Sequence, residues 1–262
     1  MKRICSFSSC LVAFSIVVAS GCSPNAKKDS PAASQVQEAP VPAFHVDPLT
    51  AGSISGTIRY TGKMPARKLI NMSEDPACVE AHHVKAFDES LVVASNGALA
   101  NAFIYVKQGL EGKRFETPSA PVTIDQRGCW FRPRVLGIQT NQVLKIINSD
   151  PVTHNIHPMA QINRGWNHSQ GAGDPPIDRR FIKHEVMIPV KCNIHSWMHS
   201  YIGVVDNPYF AVSKDDGSFS IANLPPGTYT IGVWQEKLGT EERQIVISPH
   251  SNTLANLTFK GH

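Results

Sequence analysis

The sequence predicts an all-β protein, and three observations support this fold class. From residue 49 onward, short runs of β-branched and aromatic residues alternate with small or polar ones. Gly, Pro, Asn and Asp clusters separate these runs as turns. Sustained helical periodicity is scarce. Many short strands joined by such turns favour a β-sandwich or barrel, and no internal repeat of fixed period is visible.

The first strand is predicted within residues 52–62, where Ile54, Ile58 and Tyr60 alternate with small or polar neighbours before a Gly turn. One short helix or 3₁₀ turn is predicted within 74–87. A long loop with Pro residues is predicted across 149–180. The remaining strands are predicted in a series of separate segments, at 98–109, 120–139 (two strands), 141–150, 184–192, 200–205, 216–236 (two strands), 243–248 and 252–259.

The N-terminal 22 residues have the pattern of a secretory signal peptide. Lys2 and Arg3 precede an apolar run that is too short for a stable membrane span, and small residues precede Cys22. The ending ASGC resembles a bacterial lipoprotein processing site, which implies a lipidated Cys22. Ala19 stands where Leu is usual, so ordinary cleavage beside Cys22 remains an alternative. We expect an exported lipoprotein that faces the periplasm, with the outer membrane favoured, or the cell surface.

Residues 23–48 are rich in Pro, Ala, Ser and charged residues, which predicts a flexible linker. The whole chain has 25 basic and 21 acidic residues. Removing residues 1–22 takes away two basic residues and leaves a net charge of +2. This balance argues against a nucleic-acid partner, and the lipid anchor is the only membrane contact that we expect.

The cysteines divide into groups with different expected roles. Two leave with the signal peptide and Cys22 is assigned to lipid, so Cys78, Cys129 and Cys192 remain. An odd count in an oxidising compartment implies one thiol with a separate role. Cys192 is the candidate for that role, which leaves Cys78 and Cys129 free to form a disulfide bond.

The segment VKCNIHSWMHSYIGVV places Cys192, His195 and Met198 three residues apart between two apolar runs. A type 1 copper site needs a thiolate, two imidazoles and a weak axial thioether. His154 follows a strand-like run and precedes Cys192 by 38 residues, so it is the candidate fourth ligand. Each residue alone would more often be a buried thiol, a loop histidine or a core methionine. Their joint pattern favours a metal site.

The stretch LGIQTNQVLKIINSDPVTHNIH, followed by CNIHSWMHSYIGVV, resembles the two ligand-bearing segments of cupredoxins. The short Cys-x-x-His-x-x-Met loop is similar to that of amicyanin-like members, and the resemblance covers residues 87–206. It implies a Greek-key sandwich or barrel that binds one type 1 copper ion. His154, Cys192 and His195 would be equatorial ligands, with Met198 on the axis.

A second resemblance lies at the C-terminus, where DDGSFSIANLPPGTYTIGVWQE is similar to the carboxypeptidase regulatory-like, or transthyretin-like, β-sandwich. GSISGTIRYTGKMP resembles the first strand of that module. We therefore expect residues 49–86 to form the first strand or strands of the module and a connector, and residues 207–262 to form the rest of it. The cupredoxin-like domain at 87–206 is expected to be inserted into the module or packed on it.

The expected function is electron transfer by an exported copper protein that is not an enzyme, with a cytochrome or a periplasmic oxidoreductase as redox partner. Trp197 is expected near the exposed edge of the site, or else to be a packing aromatic. His157 and His199 are expected beside the site rather than in it. One alternative is copper binding, storage or delivery, which would use these extra histidines. The other alternative is a metal-free carbohydrate-binding or adhesion sandwich.

Overall fold

The computed structural model describes residues 42–82 and 85–261. The predicted signal peptide, Cys22 and the first part of the predicted linker lie outside these residues. The elements within them are β1 (Gly52–Thr61), α1 (Pro76–Ala81), β2 (Phe103–Gln108), β3 (Val122–Gln126), β4 (Phe131–Arg132), β5 (Val135–Gln139), β6 (Leu144–Asn148), β7 (His154–Pro158), β8 (His168–Gln170), β9 (Ile177–Arg179), β10 (Glu185–Lys191), β11 (His199–Val205), β12 (Phe210–Val212), β13 (Ser218–Leu224), β14 (Gly227–Gln235), β15 (Gly239–Ile247), β16 (Asn252–Leu254) and β17 (Leu257–Lys260).

The predicted all-β fold class is confirmed. Across the described ranges, α1 is the one helix of the chain, and no helix there is long and apolar enough to cross a membrane. The strands form four sheets, which pack as two sandwiches.

The first sandwich packs the sheet β13-β1-β16, in which β17 also pairs with β1, against the sheet β12-β2-β14-β15. Alternate residues of β1 point inward, so Ile54 and Ile58 are fully buried. Facing strands contribute Ile104, Ile231 and Val233 to the same core. This half of the molecule is held together by apolar packing.

The second sandwich packs the sheet β5-β11-β10-β7-β8 against the sheet β4-β3-β6-β9. Ile124, Ile146, Ile188 and Ile202 are fully buried between the sheets. β5 runs parallel to β11, and β3 runs parallel to β6. One end of this sandwich, where β7 begins and β10 ends, carries the predicted metal ligands.

A third cluster joins the two sandwiches and includes Phe103, Tyr105, Val135 and Val205. A Cβ atom on Gly203 would lie 2.4 Å from the Phe103 ring, so glycine lets the ring lie against β11. At the same seam, Arg134 Nη2 and Glu236 Oε2 form an ion pair of 2.6 Å. Their side chains are only 4% and 11% exposed, so this pair is buried.

The segment 149–180 differs from the sequence-based expectation. Strands β7, β8 and β9 lie within residues 149–180, so the long irregular loop predicted there is wrong in these three places. These strands pair with β10, β7 and β6, and such long-range pairing leaves little local signal in a Pro-punctuated segment. The predicted short helix is α1, which begins after the N-cap residue Asp75.

The packing also crosses the predicted boundaries at residues 86 and 206. β2 lies in the predicted cupredoxin-like range 87–206, yet it pairs with β12 and β14 in the first sandwich. Met72 and Cys78 lie in the range 49–86, which was assigned to the regulatory-like module and its connector, yet they pack in the core of the second sandwich. The division into domains stays a prediction. Each sandwich contains residues from both predicted ranges.

Candidate metal centre

Three of the four predicted ligands come together at one end of the second sandwich. His154 begins β7, Cys192 directly follows β10, and His195 lies on the turn before β11. One ligand atom of each lies within 4.8 Å of the others. The exposed fractions are 0% for His154, 4% for Cys192 and 3% for His195. The fold therefore gathers a thiol and two imidazoles in a site that is closed to bulk water.

Backbone N–H groups of β7 and of the turn between β10 and β11 favour the thiolate form of Cys192. The backbone N–H groups of Asn155, Ile194 and His195 each donate to Cys192 Sγ at 3.3 Å. Burial raises the pKa of the thiol, but the His154 side chain and these N–H groups outweigh burial and lower it. A thiolate is the form that binds a metal ion.

The turn is closed by its own backbone. Cys192 N donates to Met198 O at 3.2 Å, and Met198 N donates to His195 O at 3.0 Å. The Met198 side chain is fully buried in the same apolar cluster as Cys192. The three residues that the sequence spaces at equal intervals are thus one compact turn.

Both imidazoles have their Nδ1 atoms toward the centre, 2.9 Å apart. His154 Nε2 contacts Asp150 Oδ2 at 2.7 Å, and His195 Nε2 contacts Asp75 Oδ2 at 3.0 Å. A carboxylate accepts from N–H, so each Nε2 is the donor, and Nδ1 is the atom of each ring that faces the candidate metal site. In the metal-free protein, one proton on His154 Nδ1 completes the contact to His195 Nδ1.

Asp150 holds His154 from within the same loop. Its carboxylate accepts from the backbone N–H groups of Gly128 at 2.6 Å and Cys129 at 2.7 Å. Burial raises the Asp150 pKa, but His154 and the two N–H groups lower it by more than burial raises it. The pKa therefore lies below its usual value, and the carboxylate stays ionised. Burial lowers the His154 pKa, but Asp150 and Cys192 outweigh burial and raise it to about 9. Metal-free His154 is therefore an imidazolium at neutral pH.

Cys78 and Cys129 form a disulfide bond with a Cα–Cα distance of 5.6 Å, and Cys192 is the free cysteine of the described residues. Cys78 Sγ lies 3.7 Å from His195 Nε2, so the bond borders the candidate centre. Because both sulfurs are in the disulfide, neither offers a thiolate to a metal.

The other residues singled out from the sequence lie around the site. Trp197 packs on His195 with ring centroids 5.1 Å apart and donates from Nε1 to Cys129 O at 3.1 Å. His157 contacts Asn193 Oδ1 at 3.3 Å. His199 lies in β11, where burial and the Arg134 charge lower its pKa. In the part of the chain that the structure describes, no metal-binding group of His, Cys, Asp and Glu side chains contains His157 or His199.

Sequence reasoning missed the two carboxylates that hold the imidazoles. Asp150 stands in the segment NSDPVTH, four residues before His154, so this spacing was a usable signal. Asp75 is separated from His195 by 120 residues. The residues around Asp75 predict only a helix N-cap before Pro76. Nothing in the local pattern connects Asp75 with a metal ligand.

The donor set fits copper. A thiolate and two imidazole nitrogens suit a soft or borderline transition metal better than Mg²⁺ or Ca²⁺, which prefer oxygen. The carboxylates beside the Nε2 atoms are the outer partners that metal-bound histidines usually have. His154, Cys192 and His195 would hold the ion.

No family model and no curated protein matches the chain. Among solved structures, it is similar to a Cu-containing nitrite reductase from Thermus scotoductus at 22% identity and TM-score 0.32, over 37% of this chain and only 24% of the reductase. A reduced amicyanin variant is similar at 15% identity and TM-score 0.30, over 34% of this chain and 86% of amicyanin. A purple cupredoxin from Nitrosopumilus maritimus is similar at 17% identity and TM-score 0.28, over 32% of this chain and 98% of that protein.

Proposed function

We propose that this protein binds one copper ion as a type 1 centre and transfers electrons. His154 Nδ1, His195 Nδ1 and Cys192 Sγ would be the equatorial ligands, and Met198 the axial one. The observation that carries the proposal is the convergence of both Nδ1 atoms on a buried thiol while both Nε2 atoms are fixed by carboxylates. Bound copper would supply a one-electron redox couple.

The chain's own groups suit repeated electron transfer because they are already in place. Three N–H groups stabilise the thiolate, and Asp150 and Asp75 restrain the two rings. Little rearrangement is then needed between the two oxidation states. We expect no catalytic reaction of its own, a cytochrome or periplasmic oxidoreductase as partner, and a lipid anchor at Cys22.

Copper handling without electron transfer is the second candidate, and one observation favours it. His195 is only 3% exposed and Asp75 covers its Nε2 edge, so the ligand edge offers no open contact to a redox partner. A protein that stores copper benefits from such closure.

Electrochemical cycling in the presence of a Cu(I) chelator separates the two candidates. Electron transfer predicts that copper-loaded protein is reduced and reoxidised over many cycles without losing metal. Handling predicts no such reversible cycle, because a storage protein holds the ion without repeated reduction and reoxidation and a delivery protein gives it up to the chelator on reduction. Loss of copper in the first cycle would overturn the electron-transfer proposal, and Met198→Gln should keep copper bound while its potential shifts.

A further inference from the structure

Asp75 uses its two carboxylate oxygens for two different tasks. Oδ1 accepts from the backbone N–H groups of Ala77 at 3.0 Å and Cys78 at 3.4 Å, which caps the start of α1. Oδ2 lies 3.0 Å from His195 Nε2. One residue thus couples the position of α1 to the orientation of a metal-ligand ring.

The disulfide fastens this turn over the candidate centre. Cys78 lies in α1, three residues after Asp75, and its partner Cys129 lies on the loop between β3 and β4. The Cys129 carbonyl oxygen also accepts from Trp197, whose ring packs on His195. Two groups cover His195, the Asp75 carboxylate and the Trp197 indole. Each is hydrogen-bonded to the backbone of one cysteine of this disulfide.

The loop that carries Cys129 serves the second imidazole as well. Cys129 has a φ of 55°, a left-handed backbone conformation that residues other than glycine rarely adopt. In this conformation its N–H, with that of Gly128, donates to Asp150, which holds His154. Both carboxylates that orient the ligand rings thus depend on the segments that the disulfide joins.

We propose that Asp75 is a positioning residue for His195, and that the Cys78–Cys129 disulfide tethers the turn that carries it as a cover over the metal centre. This inference rests on the proposed function for its purpose, because a ring held by Asp75 presents Nδ1 to the metal. The cover would slow the entry and loss of metal. The turn belongs to the connection between β1 and β2, far in sequence from the ligand loops.

Asp75→Ser is the decisive variant, because Ser retains the N-cap acceptor but is too short to reach His195. Glu74→Ser is its matched control, since Glu74 is an exposed carboxylate on the same turn. The first measurement uses metal-free protein. Diethyl pyrocarbonate modifies accessible imidazole, and mass spectrometry locates the modified residue. His195 should be protected in wild type and in Glu74→Ser, and should react in Asp75→Ser at a rate approaching that of exposed His168.

The tether is tested in the same way with Cys78→Ala/Cys129→Ala. Loss of the bond should expose His195 to the reagent even though Asp75 is still present. If His195 stays protected in both variants, or already reacts in wild type as fast as His168, the inference is overturned. Thermal unfolding of each variant shows that the protein under test is folded.

The second measurement follows Cu(II) binding and release. Removing a partner of a metal-bound histidine typically weakens metal affinity about 10- to 100-fold. Asp75→Ser and Asp75→Asn should show this loss and faster release to a chelator, with Glu74→Ser unchanged. Equal affinity and release in all four proteins would contradict the inference. Wild type that protects His195 but takes up no copper would instead overturn the proposed function, so the two failures are distinguishable.

Discussion

The two sandwiches have similar apolar cores but differ in the polar side chains that they bury. The core of the first consists of side chains such as Ile58 and Ile231, which gain stability from burial alone. The second sandwich has a similar apolar core but closes one end with His154, His195 and Asp150. Each of these polar groups has a fixed partner, as burial requires. The difference shows that a β-sandwich can carry a reactive centre where its polar groups satisfy one another.

The largest effect is expected at the seam between the sandwiches, where Arg134→Met leaves the buried Glu236 carboxylate without its cation and with the Tyr201 side chain as a remaining hydrogen-bond partner. Breaking a buried ion pair in this way costs about 3–5 kcal/mol of unfolding free energy. The double variant Arg134→Met/Glu236→Leu should recover most of the loss because no lone charge remains. Urea denaturation measures the unfolding free energy of the wild type, the single variant and the double variant. A loss below about 1 kcal/mol in the single variant, as for an exposed pair, would show that the seam is solvated.

Matched core truncations sharpen the comparison between the sandwiches. Ile58→Ala in β1 and Ile156→Ala in β7 remove equally buried side chains, so each should cost about 2–5 kcal/mol of unfolding free energy. Only Ile156→Ala should also weaken Cu(II) binding, because β7 positions His154. Equal copper affinities in the two variants would contradict the separation of structural and metal-binding roles.

The smallest effect is a pH dependence that belongs to the second sandwich alone. The His154 pKa is raised to about 9, so below that pH copper must displace a proton from its Nδ1. Apparent Cu(II) affinity should therefore rise by up to about tenfold per pH unit toward pH 9 from this one proton. Isothermal titration in buffers of different ionisation enthalpy measures the released proton.

Asp150→Asn is the control for this pH dependence. The variant removes the carboxylate that raises the His154 pKa, so the proton leaves at lower pH. The rise in affinity should then end at a lower pH than in wild type. An unchanged profile in Asp150→Asn would assign the released proton to another group.

The ligand residues could be predicted from the sequence because their spacing is local. Cys192, His195 and Met198 lie within one turn, and His154 follows a recognisable strand. Asp75 could not be predicted, since its contact with His195 depends on how a connection of the first sandwich folds over the second. The pairing of β2 with β12 and β14 could not be predicted for the same reason, because its continuous apolar run at 103–106 does not tell which strands it pairs with.

The most direct test of the central claim is the visible spectrum of the soluble domain during titration with Cu(II), beside that of Cys192→Ser. A copper–thiolate bond gives an intense charge-transfer band. We predict that the band grows to saturation at one copper ion per wild-type chain and is absent in Cys192→Ser. Stoichiometric uptake of Cu(II) by wild type without that band would contradict the type 1 centre.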